Sequence, residues 1–192
     1  NEAAYTNLAA DIMKARMDAK LNQGANFSQL IQYAIYGPQS PSTHVLSNAE
    51  LQGMNPQELV DRIHKINTYE HKILYYGPET LDKLVGIINQ YHNVPEKLNP
   101  VPEAPEFKMQ ETPENKVYFA QYDAKQIYFS AISNRGEKFD ASIQPTLAMY
   151  NEYFGVGMNS IVFQEMRESR ALAYSAAAFL ITPSKLKNPY YY

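Results

Sequence analysis

Side chains suited to metal or nucleophilic chemistry are scarce in this sequence. It has four histidines, His44, His64, His71 and His92, and no cysteine. A thiolate zinc site, an iron–sulfur cluster, a disulfide framework and a cysteine nucleophile are therefore excluded. Any zinc site must be assembled from imidazoles and carboxylates. A metallopeptidase helix does this with two histidines on adjacent turns and a glutamate beside them, as in H-E-x-x-H or the inverse H-x-x-E-H. Asn67-Thr68-Tyr69-Glu70-His71 carries the Glu-His of the inverse form, but Asn67 stands where the first ligand is needed. A surface Glu-His pair is the better reading. Gly155-Val156-Gly157 lacks the third glycine of a dinucleotide loop and the Gly-Lys-Ser/Thr ending of a phosphate loop. It reads as a turn between helices. Ser130, Ser133 and Ser142 have no histidine-containing nucleophile motif nearby.

Composition narrows the partners. With 45% apolar and 19% charged residues over 192 positions, the chain has the profile of a globular protein of one domain, or one and a part. Its 17 Lys and Arg against 20 Asp and Glu give a formal charge of −3, which argues against nucleic acid or an anionic membrane as the main partner. The 16 tyrosines, with no basic stripe among them, suit half-buried faces better than a base-stacking platform. No run approaches the roughly 18 apolar residues of a membrane span, and no basic-then-apolar leader opens the chain. The first residue is Asn1 and not Met, so a processed or excised piece is expected. The lack of cysteine is compatible with periplasm, cytoplasm or secretion.

The elements that must position any site follow from periodicity and punctuation. Leu8, Ile12, Ala15 and Ala19 predict a first amphipathic helix, with Gly24 as its stop. A second helix is expected over 26–35, followed by a polar loop over 39–51. Asn55-Pro56-Gln57-Glu58 reads as a cap, a first-turn proline and a capping box. Leu59, Ile63 and Ile66 then face the core. Lys72-Ile73-Leu74-Tyr75-Tyr76 reads as a strand ended by Gly77-Pro78, and Leu81, Leu84, Val85 and Ile88 predict the next helix. Five prolines between Asn93 and Asn115 predict an extended connector. Residues 117–122 and 126–132 read as two antiparallel strands joined at Asp123-Ala124-Lys125. A helix over 139–154 and a short one capped at Asn159 or Ser160 come next, and 172–181 returns to strand. Pro189-Tyr190-Tyr191-Tyr192 reads as an element cut short. The expected class is α+β, an antiparallel sheet with helices packed on one face.

One segment is unusual in combination: Asn151-Glu152-Tyr153-Phe154-Gly155-Val156-Gly157-Met158-Asn159-Ser160, then Ile161-Val162-Phe163-Gln164-Glu165-Met166-Arg167-Glu168, then Ser169-Arg170-Ala171-Leu172-Ala173-Tyr174-Ser175. A glycine-rich turn leads into a capped helix bearing Phe-Gln-Glu-Met-Arg-Glu, and Ala-Leu-Ala-Tyr-Ser follows. This resembles the insulinase/pitrilysin family of zinc metallopeptidases, in the half that holds no metal. The resemblance includes the order of the pieces from about Leu51 onward. It implies that residues 51–192 are a truncated inactive peptidase domain of the C-terminal type, with a proline-rich connector at 93–115. Residues 1–50 would be the helical end of a preceding half.

The resemblance also implies a function. In that family one half binds zinc through H-x-x-E-H and a further Glu, while the other closes over the substrate and contributes an Arg and a Tyr. Arg167 and Tyr174 match that pair, seven residues apart. A guanidinium can donate to a substrate carbonyl, and a phenol to the oxyanion that forms there. The implied partners are a metal-bearing homologous half, in the same chain or another subunit, and an unfolded peptide. Zinc would sit on the partner half, with no cofactor or metal ligand on this chain, which alone should not hydrolyse peptides. Val156 and Ala171 depart from frequent glycines of the family, which implies a stiffer loop. The alternatives are a catalytically silent assembly subunit and an unrelated peptide-binding module.

Overall fold

A computed structural model of the chain describes residues 2–183 and 191–192, so Pro189 and Tyr190 of the C-terminal run lie outside the described residues. The chain divides into two compact units, Asn1–Asp18 with Leu46–Pro105, and Ala19–Val45 with Glu106–Tyr192.

In the first unit, α1 (Glu2–Lys20) starts the chain and α3 (Asn48–Gly53) is bound to it. Arg16 donates from Nη1 to Asn48 Oδ1 and from Nη2 to the Leu46 carbonyl, both at 2.7 Å. Tyr5 Oη donates to the Leu51 carbonyl. Ala9 and Leu51 are the buried apolar residues here. Helix α3 lies within the expected polar loop because Ser47 and Glu50 form a capping box. The Glu50 N–H donates to Ser47 Oγ at 3.2 Å, and the Ser47 N–H to Glu50 Oε2 at 2.7 Å. Helix α4 (Pro56–Ile66) starts where expected: Asn55 Oδ1 accepts from the Gln57 N–H at 2.9 Å, and Pro56 fills the first position. Its expected core face is not covered, since Ile63 and Ile66 are both largely exposed. Helix α5 (Leu81–Tyr91) is capped by Thr80. Two backbone bonds of 2.8 Å, Glu70 N–H to the Asn99 carbonyl and Asn99 N–H to the Thr68 carbonyl, fasten the chain after α4 to residue 99.

In the second unit, α2 (Gln23–Tyr36) is capped by Asn22, whose Oδ1 accepts from the Ala25 N–H at 2.9 Å. Gly24, expected to stop α1, therefore sits in the first turn of α2. Two aromatic pairs join α2 to later chain, Phe27 with Tyr128 at 5.4 Å and Tyr33 edge-on to Tyr118 at 5.6 Å. A 3₁₀ turn at Ala141–Ile143 leads into α6 (Gln144–Phe154), and α7 (Ile161–Phe163) continues as a π-helical turn over Gln164–Ser169. Met109, Leu147 and Tyr191 are buried, and a polar knot forms around buried Asn134. Asn134 Nδ2 donates to the Gln110 carbonyl at 3.2 Å, its Oδ1 accepts from the Gly136 N–H at 3.0 Å, and its own N–H donates to Thr112 Oγ1 at 2.8 Å. Every buried polar side-chain atom among the described residues has a partner.

The expected α+β class is overturned. Among the described residues the regular structure is helical, with no strand and no sheet. An isolated parallel bridge joins Tyr69 to Asn99. Residues 72–76, 117–122, 126–132 and 172–181 contain no helix and belong to no ladder. The cause is the lack of a paired backbone. Alternating aromatic and branched residues favour an extended chain but supply no hydrogen-bond partner. Asp123-Ala124-Lys125 has no Gly or Asn for the positive φ that a tight hairpin turn requires. The two segments expected to pair are instead tied to α2 through Tyr118 and Tyr128, leaving Val117 and Ile127 at 93% and 89% exposure.

Candidate functional site

The site is built at the end of the last helix. Ser160, completely buried, is the cap of α7: its Oγ accepts from the Phe163 N–H at 3.3 Å and donates to the Gly157 carbonyl at 2.9 Å. Gln164 Nε2 reaches back to the Met158 carbonyl at 2.7 Å, closing the turn onto the first residues of the helix. Of the three turn residues only Gly157 has positive φ, +82°. Val156 is not among the positive-φ residues, so its side chain brings no backbone strain to the turn. Gly155 is required for another reason: a Cβ there would overlap the Ala178 carbonyl. The Ala178 N–H donates to the Gly155 carbonyl at 3.1 Å. Two residues on, the Asn151 side chain clamps Leu180, accepting from its N–H at 2.9 Å and donating to its carbonyl at 3.1 Å. The extended chain after the site is thus pinned to the C-terminal end of α6.

Arg167 lies in the π-helical turn, a wider turn often found at functional positions. The turn ends at Ala171, the non-glycine residue with positive φ (+51°) among the described residues. Its N–H donates to the Arg167 carbonyl at 3.1 Å, and the next, from Leu172, reaches the Met166 carbonyl at 2.8 Å. This left-handed closure reverses the chain and carries Tyr174 back onto the turn. The Arg167 guanidinium carbon is 4.6 Å from the centroid of the Tyr174 ring and 4.8 Å from that of the Phe163 ring. The cation lies over two aromatic rings, each attractive through its quadrupole. Arg167 Nε also lies 3.5 Å from Glu168 Oε1, and Arg170 is 3.5 Å from Glu165. Both are exposed pairs of small energetic weight.

The two residues singled out from the sequence are therefore brought into contact. Tyr174 is 85% exposed, while the Arg167 side chain is 35% exposed, so the phenol faces solvent and the guanidinium is half covered. Phe163 stood in the segment that carries the family resemblance but had no role assigned to it. Its signal was the helical spacing of four to Arg167, which puts an aromatic and a cation on neighbouring turns.

Residues 70–191, well over half of the chain, match the family described as the peptidase M16 inactive domain. The chain belongs to that family. No curated protein and no solved structure matches it. The match bears out the resemblance to the insulinase/pitrilysin peptidases and places this M16 domain in the non-catalytic half. Among the described residues no group of three or more His, Asp or Glu side chains converges as a catalytic zinc centre requires.

Proposed function

We propose that this non-catalytic M16 domain encloses an unfolded peptide and presents Arg167 and Tyr174 to the scissile carbonyl at a zinc site on a homologous half. The metal chemistry is supplied outside this chain. Here the Arg167 guanidinium donates to a substrate carbonyl, and the Tyr174 hydroxyl donates to the oxyanion as the carbonyl loses its double bond. Donors fixed before the reaction need no reorganisation, and they bind the developing charge more strongly than the ground-state carbonyl. The observation that carries the reading is the 4.6 Å contact between guanidinium and phenol ring, which puts both donors at one exposed place. The uncovered apolar residues of α4 and of residues 117–129 also suit a domain that packs against another half.

The test uses the parent assembly, this domain together with its zinc-bearing half. Arg167→Ala and Tyr174→Phe are each expected to lower kcat on an unfolded peptide by roughly 10²–10³-fold, the cost of one oxyanion donor, with circular dichroism unchanged. Turnover equal to the parent's would overturn the catalytic role. A second reading, a silent assembly subunit, is favoured by the same two contacts, because an Arg held over two rings also serves as a structural clasp. Tyr174→Phe separates the two, since it keeps the ring and removes the donor. The clasp reading expects this variant to be silent and Tyr174→Ala to loosen the fold.

A further inference from the structure

The M16 domain carries a second arrangement, in its other unit, that the peptidase reading does not use. His71 and His92 face each other through their Nε2 atoms at 2.7 Å, with ring planes at 85° and centroids 4.9 Å apart. His71 Nδ1 lies 2.6 Å from the Tyr69 carbonyl. A carbonyl can only accept, so Nδ1 carries a proton, and in the neutral ring the lone pair is on Nε2. This is the arrangement found at metal-bound histidines, where the distal N–H is held by a backbone carbonyl and the other nitrogen is aimed at the ion. Both backbones are anchored. Residue 71 follows the segment fastened to Asn99, and His92 closes α5 with its N–H on the Ile88 carbonyl at 2.8 Å.

We propose that His71 and His92 form a two-imidazole site for a borderline divalent transition ion, of the Zn²⁺, Ni²⁺ or Cu²⁺ class. Imidazole suits these ions and not magnesium or calcium. With metal–nitrogen bonds of about 2.0–2.1 Å, two ligands at a tetrahedral angle stand about 3.3 Å apart. From 2.7 Å the pair therefore needs to open by about 0.6 Å for tetrahedral Zn²⁺ and by about 0.2 Å for the right-angle ligands of tetragonal Ni²⁺ or Cu²⁺. In the metal-free pair His92 donates its Nε2 proton to His71. On binding, that proton moves to His92 Nδ1, so both Nε2 lone pairs meet the ion with no net change in charge on either ring. Because no third protein ligand converges there among the described residues, water completes the coordination. The site is thus an accessory one, open to exchange.

The experiment is a titration of the full 192-residue chain with Ni²⁺ or Cu²⁺, followed by calorimetry and by the imidazole C–H proton resonances. One equivalent should bind, and the His71 and His92 resonances should broaden before those of His44 and His64. His71→Ala and His92→Ala should each weaken binding by about tenfold or more, the scale of losing an orienting partner or greater. A His44→Ala, His64→Ala double variant should bind as the parent does. Binding that survives His71→Ala or His92→Ala, earlier broadening at His44 or His64, or no uptake of metal would each overturn the site. The resonances of the unmodified chain decide the matter should either variant fail to fold.

Discussion

Ala171 holds a left-handed backbone that costs an L residue with a Cβ roughly 1–2 kcal/mol. Ala171→Gly relieves that cost but adds backbone entropy to the unfolded chain. The net expectation is a stabilisation of about 1 kcal/mol, a rise of roughly 2–4 °C in Tm for a domain of this size, measurable by thermal denaturation. Phe163→Leu keeps bulk and removes one π face from Arg167. It is expected to cost about 0.5–1 kcal/mol of Arg167 positioning and, on the proposed role, to lower kcat/KM of the assembled enzyme a few-fold with KM little changed. At this scale the sequence was most informative. Arg167, Tyr174 and the Ser160 cap stand within a short stretch, so local chain geometry alone brings them together. Phe163 looked like any other apolar helix residue, because its contact is with the side of a charged group and not with a core.

Helix starts were legible where a cap is followed by a proline or an apolar period, as at Asn55-Pro56 and Ser160, and one was missed inside the stretch read as a polar loop. Helix α3 has only 6 residues, too few for periodicity to register, and its start depends on Ser47 and Glu50. The Ser47 hydroxyl, and then its backbone N–H, hold the Glu50 carboxyl below the ordinary range. A depressed acid contributes stability that is present above its unfolded pKa and lost as pH falls through the folded one. The Glu50 amide signal is thus expected to report fraying of α3 once the pH falls beneath the range in which an ordinary glutamate titrates. Ser47→Ala should move the Glu50 titration upward, toward an ordinary glutamate. The Asn134 knot was invisible from sequence because its partners, Gln110, Thr112 and Gly136, come from two separated stretches. Asn134→Ala strips the Gln110 carbonyl and the Gly136 N–H of their partner inside the fold. A loss of about 1–3 kcal/mol in urea unfolding is expected.

Over the whole molecule, the family was legible and the class of secondary structure was not. The family rests on an ordered series of local signals, while a sheet rests on pairing between distant segments, and alternation of Tyr, Phe and Val specifies only extension. The uncovered side chains at Val117, Phe119, Ile127 and Phe129 give a prediction at this scale. Val117→Asp and Ile127→Asp should change the stability of the chain alone by no more than about 0.5 kcal/mol, as exposed substitutions do. In the proposed assembly they should weaken association with the zinc-bearing half, read as a raised Kd by calorimetry. Equal affinity for parent and variants would show that this surface stays outside the interface. No helix among the described residues is long and apolar enough to cross a membrane.

The pinning of Ala178 and Leu180 to the end of α6 bears on isotope labelling. Among the extended residues after Tyr174, the amides of Ala178 and Leu180 are held by the Gly155 carbonyl and the Asn151 side chain. In deuterated water those two protons should leave slowly, while the intervening Phe179 amide exchanges near its unprotected rate. Replacing Asn151 with Ala should release Leu180 first. The alternation of slow and fast amides along residues 178–180 would then measure, without any substrate, how firmly the strip beside Tyr174 is held.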